Sequence, residues 1–360
     1  MVYRVRCNAA STAALIVIAA MVWSIGGCRQ RPTEQARPAA DNPAGNRADT
    51  ATDSVSGDLT REHAAALIGE GIDHAKGGNL DAAIATFERA CDAYPTYAPA
   101  HAQLGIALCL KGDRQRAVDE LRTATILDPM YASAHANLGM ALLSNGDPQG
   151  AVDSARAALA IERDLIPAMM TLSVALTDLG DHEAAIQPLR NVLKLRPDND
   201  DVRSRFLAAC IAAGKAADAV SELEAVASVR LNDVDVRVKL SQAYVAAGDF
   251  EQAISAARSG IEMDRFAVDA HLALSDALRE SGRVEGALDA ARMAGRLDQD
   301  DPRPHFAIGK LYVMLGRLDD AMEEYSVLRR LKRSMALNLL AAIRAAQATP
   351  SEEDKPQDES

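Results

Sequence analysis

The sequence predicts an all-helical protein built from one helix pair written many times over, on three observations. Hydrophobic residues make up 48% of the 360 positions but aromatic residues only 4%. Alanine, the best helix former, dominates the apolar share, whereas β-sandwich strands draw on aromatic and β-branched side chains. Gly78, Gly112, Gly146, Gly180, Gly214, Gly248, Gly282 and Gly316 are spaced by 34 residues throughout, as are Ala83, Ala117, Ala151, Ala185, Ala219, Ala253, Ala287 and Ala321. A fixed period of this size, kept without an insertion, marks stacked-repeat architectures. Within each period the apolar residues fall on one arc at about 100° per residue, so the first helix of each pair has one face to bury.

Length alone would suggest two or three domains; the unbroken period replaces them with one continuous array. Apolar content near half with 25% charged residues is globular composition, which excludes wholesale disorder and collagen-like repetition. With 51 acidic against 39 basic side chains the formal charge is −12. Such a balance works against phosphate-backbone binding, which needs clustered Lys and Arg, so nucleic acid is not an expected partner.

Residues 1–27 read as an export signal. Arg4 and Arg6 precede an uncharged stretch that rises into the apolar run Ala13 to Trp23, then Ser24-Ile25-Gly26-Gly27-Cys28. An apolar core of about eleven residues is too short for a spanning helix, which needs about 20. Ile25-Gly26-Gly27-Cys28 resembles the lipobox of bacterial lipoproteins. The resemblance implies that the Cys28 thiol is diacylglycerylated, that the chain is cut before it, and that the new N-terminus is acylated. Three acyl chains would anchor the protein firmly, since two lipid signals already suffice. By the same resemblance, Arg29 after the cysteine directs the protein to the periplasmic face of the outer membrane. The alternative is an uncleaved signal anchor with Cys28 incidental. Cleavage would take the charge from −12 to −14 and remove Trp23, the one tryptophan.

Residues 28–63 lack apolar periodicity and are rich in Pro, Ala, Gly, Ser, Thr and Asp, which reads as a flexible tether carrying the lipidated cysteine. Residues 64–335 hold eight repeats of 34 residues that start at Ala64, Ala98, Ala132, Ile166, Asp200, Val234, Val268 and Pro302. The second copy shows the pattern best, with Leu104, Gly105, Leu108, Gly112, Ala117, Leu121, Ala124 and Pro129 at the seventh, eighth, eleventh, fifteenth, twentieth, twenty-fourth, twenty-seventh and thirty-second places. This pattern resembles the tetratricopeptide repeat, although the family's tryptophan at the fourth place is absent. The resemblance implies an all-α solenoid of helix–turn–helix repeats coiled as a right-handed superhelix, with the first (A) helices lining the concave side.

Each fixed place has a physical reason. Gly at the fifteenth place ends helix A in the left-handed conformation. Small residues at the eighth and twentieth places let helices A and B approach closely. Pro95, Pro129 and Pro197 stop the second (B) helix, since Pro cannot continue a helix interior. Where Arg163, Leu231, Arg265, Gln299 and Arg333 stand instead, the boundary should be less sharp. Residues 336–347, ALNLLAAIRAAQ, are amphipathic and read as a capping helix. Residues 348–360 read as a disordered acidic tail.

Places two, five, nine, twelve and thirteen of helix A line the groove in this family. In repeats one to five they supply an apolar strip of Ile72, Ile106, Cys109, Leu110, Met140, Leu143, Met170, Val174, Ala208 and Ile211. A contiguous apolar strip is a recognition signal, because soluble monomers rarely leave one uncovered. It is read as the seat of an apolar helix or extended segment of a protein partner. The bland reading packs places five and twelve against the neighbouring A helix and leaves only place nine open. In later repeats Asp201, Asp235, Asp269, Asp276 and Glu280 make the groove acidic and suited to steer a basic segment; the alternative is that an Asp in the first turn complements the helix dipole. No Lys stands at any fifth place, so a clamp for a C-terminal carboxylate is excluded.

No catalytic, metal or cofactor site is expected. His101, His135, His271 and His305 sit at fourth places and read as packing residues, too far apart across repeats to share a metal at ~2 Å. Cys91, Cys109 and Cys210 imply no disulfide framework, and a Cys91–Cys109 bridge is left open. HExxH, GxSxG, P-loop and GxGxxG patterns are absent, and Glu323-Glu324 reads as solvated helix surface. The reading is a non-enzymatic, lipid-anchored scaffold that binds protein partners through its groove. By resemblance to tetratricopeptide lipoproteins it would assemble or maintain an envelope machine serving pili, the outer membrane, exopolysaccharide or peptidoglycan. The alternatives are a regulatory adaptor docking an envelope hydrolase, and an enzyme whose site no motif reveals.

Overall fold

The computed structural model describes residues 50–348. Cys28, the export signal, most of the tether and residues 349–360 lie outside them. Among the described residues there are 17 helices and no strand. The described residues divide into two compact units, the boundary falling between Arg203 and Ser204. A stack in which each repeat touches only its neighbours has no single core to hold it as one.

In the first unit α1 (Thr50–Lys76) pairs with α2 (Leu80–Ala93), α3 (Ala98–Lys111) with α4 (Arg114–Leu127), α5 (Ala132–Ser144) with α6 (Pro148–Ile161), and α7 (Ile166–Asp178) with α8 (His182–Leu195). α9 (Asp200–Ala212) begins at the unit boundary and is followed by α10 (Ala216–Val229). The second unit continues with α11 (Val234–Ala247), α12 (Phe250–Met263), α13 (Val268–Glu280), α14 (Val284–Leu297), α15 (Pro302–Met314), α16 (Leu318–Leu331) and α17 (Arg333–Ala348). α1 begins at Thr50, so the last part of the stretch read as tether is helical. α17 likewise starts three residues before the expected cap.

The turn between helices A and B is the same in every repeat. All eight glycines at the fifteenth place have φ between 69° and 92°. The next residue's N–H then donates to the carbonyl at the eleventh place across 2.8–3.0 Å, as in Asp113 to Leu108 and Arg283 to Leu278. This closes the helix end with the reach-back bond of a Schellman motif. A Cβ on any of these glycines would meet open space, so the requirement is torsional. The start of helix B differs between the units. Asn79, Asp113, Asp147 and Asp181 cap α2, α4, α6 and α8 by accepting from a backbone N–H three residues on. Lys215, Arg283 and Arg317 stand at the same place in α10, α14 and α16 without a side-chain cap bond.

Close approach is enforced at two places. The eight repeated alanines of the twentieth place are each 0% exposed. At Gly105 a Cβ would lie 2.6 Å from Leu121 Cγ and 3.2 Å from the Ala117 carbonyl, so α3 sits against α4 at backbone distance. In each unit α3–α4-type pairs pack on one another, and A helices also touch the next A helix: α1 with α3, α3 with α5, α5 with α7, α11 with α13, and α13 with α15. α17 packs on both α15 and α16, burying Ala336, Leu339 and Ile343.

Helix B ends sharply with or without proline: α6, α12, α14 and α16 stop at the same place as α2 and α4. An aspartate at the thirty-first place turns the chain in repeats with and without the proline: beside Pro129, Asp128 Oδ1 accepts from the N–H of Met130 at 3.0 Å. Asp264 Oδ1 accepts from the N–H of Phe266 at 2.9 Å and Asp298 Oδ1 from that of Asp300 at 3.1 Å, giving a local turn that competes with the helix. The fourth-place side chains fasten this turn. Nε2 of His101, His135 and His271 lies 2.9–3.1 Å from the carbonyl oxygen of Pro95, Pro129 and Arg265 respectively, and Arg203, 1% exposed, donates to Pro197 in the same way.

Candidate functional site

The A-helix contacts decide which predicted groove residues face solvent. Ile106 is 3% exposed and Met170 8%, so both pack inside the chain and offer a partner nothing. Ala102 and Ala136, at the fifth places of α3 and α5, are buried as well, and α3 and α7 each touch α5. Ile72, Cys109, Leu110, Met140, Leu143 and Val174 are half-buried in the first unit, while Ala208 and Ile211 are exposed in the second. Desolvation pushes the Cys109 thiol up to about 11 and raises the carboxyl of Asp178, at the thirteenth place of α7. Cys91 and Cys109 are not bridged to one another.

The acidic residues of the later repeats are mostly compensated. Asp235 pairs with Lys239 one turn on. Asp269 Oδ1 lies 2.6 Å from Arg303 Nη1. Arg279 serves both Asp276, at 3.5 Å, and Glu280, at 2.7 Å. Burial raises the Asp276 carboxyl, an effect that Arg279 and Lys310 oppose. Asp201 is exposed in the first turn of α9, where its charge complements the helix dipole. Asp235, Asp269, Asp276 and Glu280 therefore each answer to a cation of their own chain rather than presenting an unmatched acidic surface.

A cluster that sequence reasoning missed lies where α2, α3 and α4 converge. One ligand-type atom from each of Cys91, His101 and Glu120 falls within 4.8 Å of the others. His101 Nδ1 is 2.7 Å from Glu120 Oε2, and its Nε2 is 2.9 Å from the Pro95 carbonyl. Facing Cys91 first and Glu120 second, the imidazole holds its proton up to about 10. The pair recurs in the eighth repeat, where His305 Nδ1 is 2.7 Å from Glu324 Oε2, so Glu324 is a partnered residue and not the solvated carboxylate expected. The signal was present as a His and a Glu 19 residues apart in both repeats. Comparing histidines only with one another concealed it.

Helix pairs of fixed length, joined by a left-handed glycine and packed through small residues at set places, define a helical-repeat protein. The sequence pattern of the tetratricopeptide repeat matches residues 44–98, 102–165 and 238–302, and a second pattern of that description matches 176–243. The chain belongs to the tetratricopeptide repeat family. No curated protein sequence matches it. Among solved structures it is similar to a thermophilic TPR protein of Thermus thermophilus, with 22% identity over 51% of this chain and 100% of that one and a TM-score of 0.43. A tetratricopeptide repeat protein of Parabacteroides merdae ATCC 43184 shares 12% identity over 79% of this chain and 99% of its own, TM-score 0.45. Pseudomonas aeruginosa PilF shares 18% over 68% of this chain and 96% of its own, TM-score 0.38. At these identities and scores they bear on no question of partner or activity.

Proposed function

We propose that the protein is a non-catalytic, lipid-anchored scaffold of the cell envelope whose A-helix face in the first unit holds an apolar segment of a protein partner. The observation that carries the reading is the set Met140, Leu143 and Val174 on α5 and α7. These side chains stay partly open on the face where the A helices meet, although their neighbours Ile106 and Met170 have found cover. Apolar groups left half-open on a surface gain free energy when a partner covers them, at about 25 cal/mol per Å² of apolar surface.

Membrane attachment in this reading rests on Cys28. No helix among the described residues is long and apolar enough to cross a membrane, so the lipid would be the anchor. The anchored tether would present the repeats to an assembly serving pili, the outer membrane, exopolysaccharide or peptidoglycan.

Replacing Met140 and Leu143 by Glu tests this surface. Partner capture by photo-crosslinking from Val174 should be lost while helical circular dichroism is kept, and unchanged crosslinks in the double variant would refute the assignment. Cys28→Ala tests the anchor separately: labelling by a fatty-acid analogue should vanish and precursor accumulate, and labelling that persists would sink the lipoprotein reading.

A further inference from the structure

We propose that Cys91, His101 and Glu120 form a three-ligand site for a divalent transition-metal ion of zinc type, with water completing the coordination. The residues come from three successive helices, α2, α3 and α4, and cross from the first repeat into the second. An ion there would bind helix B of one repeat to both helices of the next.

The donor chemistry is specific. A thiolate, an imidazole and a carboxylate together suit zinc, which takes S, N and O ligands, and disfavour magnesium and calcium, which prefer oxygen. The imidazole is already oriented: its Nε2–H points to the Pro95 carbonyl at 2.9 Å, which turns Nδ1 toward Glu120 and Cys91. A backbone carbonyl behind a metal-binding histidine is the usual outer support that fixes its tautomer. The Nδ1 and Oε2 atoms stand 2.7 Å apart with a proton between them. Tetrahedral ligands at ~2.1 Å from zinc stand about 3.4 Å apart, so a small rotation of the Glu120 side chain admits the ion. On uptake the Nδ1 proton and the Cys91 thiol proton leave to solvent, and the two anionic ligands offset the 2+ charge. Solvent reaches the site through His101 and Glu120, whose side chains are 14% and 27% exposed.

The eighth repeat supplies an internal control. His305 and Glu324 repeat the pair at the same 2.7 Å, but the place that corresponds to Cys91 is Gly295. A pair whose role is only to tie helix A to helix B needs no thiol; the thiol is what distinguishes the first site.

Cobalt titration of the purified full-length chain under a phosphine reductant tests the assignment, because Co²⁺ reports thiolate ligation by a near-ultraviolet charge-transfer band. One equivalent should produce that band, and Zn²⁺ should displace it. Cys91→Ser should abolish the band, and His101→Leu, which places the side chain Leu67 already holds at the fourth place of the first repeat, should weaken Zn²⁺ binding on the order of a hundredfold. His305→Leu should leave both readings unchanged. Circular dichroism of each variant confirms folding, and Cys91→Ala serves as the second thiol-free variant, since Ala227 occupies that place in the fifth repeat. No band in the wild-type chain, a band that survives in either Cys91 variant, or equal loss in His305→Leu would overturn the proposal.

Discussion

Arg303 reaches back one whole repeat to Asp269: Nη1 of the arginine lies 2.6 Å from Oδ1 of an aspartate 34 positions earlier. The same guanidinium grips Asp301, with Nη2 2.6 Å and Nε 2.8 Å from Oδ2, while Asp301 Oδ1 accepts from the Arg303 backbone N–H at 2.8 Å. One arginine thus joins the start of α15 to α13 and completes its N-cap. Burial alone would raise the Asp301 carboxyl, but the Arg303 side-chain and backbone hydrogen bonds, with the charges of Arg303 and His305, hold it below its ordinary 3.8. A lowered carboxyl stabilises the fold above the unfolded value and loses that contribution as pH falls through the folded one. Asp301→Ala should cost about 1–2 kcal/mol at neutral pH. The gap to wild type in thermal denaturation should close as the pH is taken below about 4; a gap that stays constant into acid would remove the ion pair from the account.

Glycines in A helices should split by what a Cβ would meet. At Gly69 there is nothing within 4 Å, whereas at Gly105 the backbone of Ala117 and the side chain of Leu121 block it. Gly69→Ala should stabilise by about 0.4–1 kcal/mol and Gly105→Ala should destabilise by about 1–3 kcal/mol. Chemical denaturation of the two variants side by side settles the matter, and equal shifts would show that helix spacing is not set by the eighth place.

Lys215 opens α10 where an aspartate caps α4, α6 and α8, and a cation at a helix N-terminus also opposes its dipole. Lys215→Asp should raise stability by about 1 kcal/mol. Amide exchange in the first turn of α10 should slow with it, and no change in either would mean the Lys215 side chain serves some stronger local need.

Leu339 is 0% exposed and fills the space that the missing Gly309 side chain leaves on α15. Leu339→Ala should cost about 2–5 kcal/mol. Faster amide exchange should spread through α17 into α15 and α16; exchange confined to α17 would show a loosely attached end.

How much of this was readable follows from the reach of each constraint. The repeat was legible because its fixed places answer to local demands: a left-handed torsion at Gly112, and no room for more than Ala117 at a helix crossing. The end of helix B is not legible from proline alone: it falls at the same place with or without the ring, and Asp128, Asp264 and Asp298 each supply a side-chain acceptor to the turn there. The strip was only partly legible. Ile106 and Met140 occupy the same ninth place, yet one is buried and the other half-buried, a difference that the repeat pattern does not carry. Cys91, His101 and Glu120 belong to two repeats and three helices, so no single period contains them.

A repeat that stacks on its neighbour through the same face each time is a head-to-tail contact, and such contacts do not close on themselves. The face of α15 and α16 that α17 covers is the kind of surface each earlier pair offers to the next. Without α17 that surface would be free to accept the first pair of another molecule, and the product would grow as an open fibre. The sixteen residues of α17 therefore act as an end-cap in the polymer sense, covering the face through which a further pair would add.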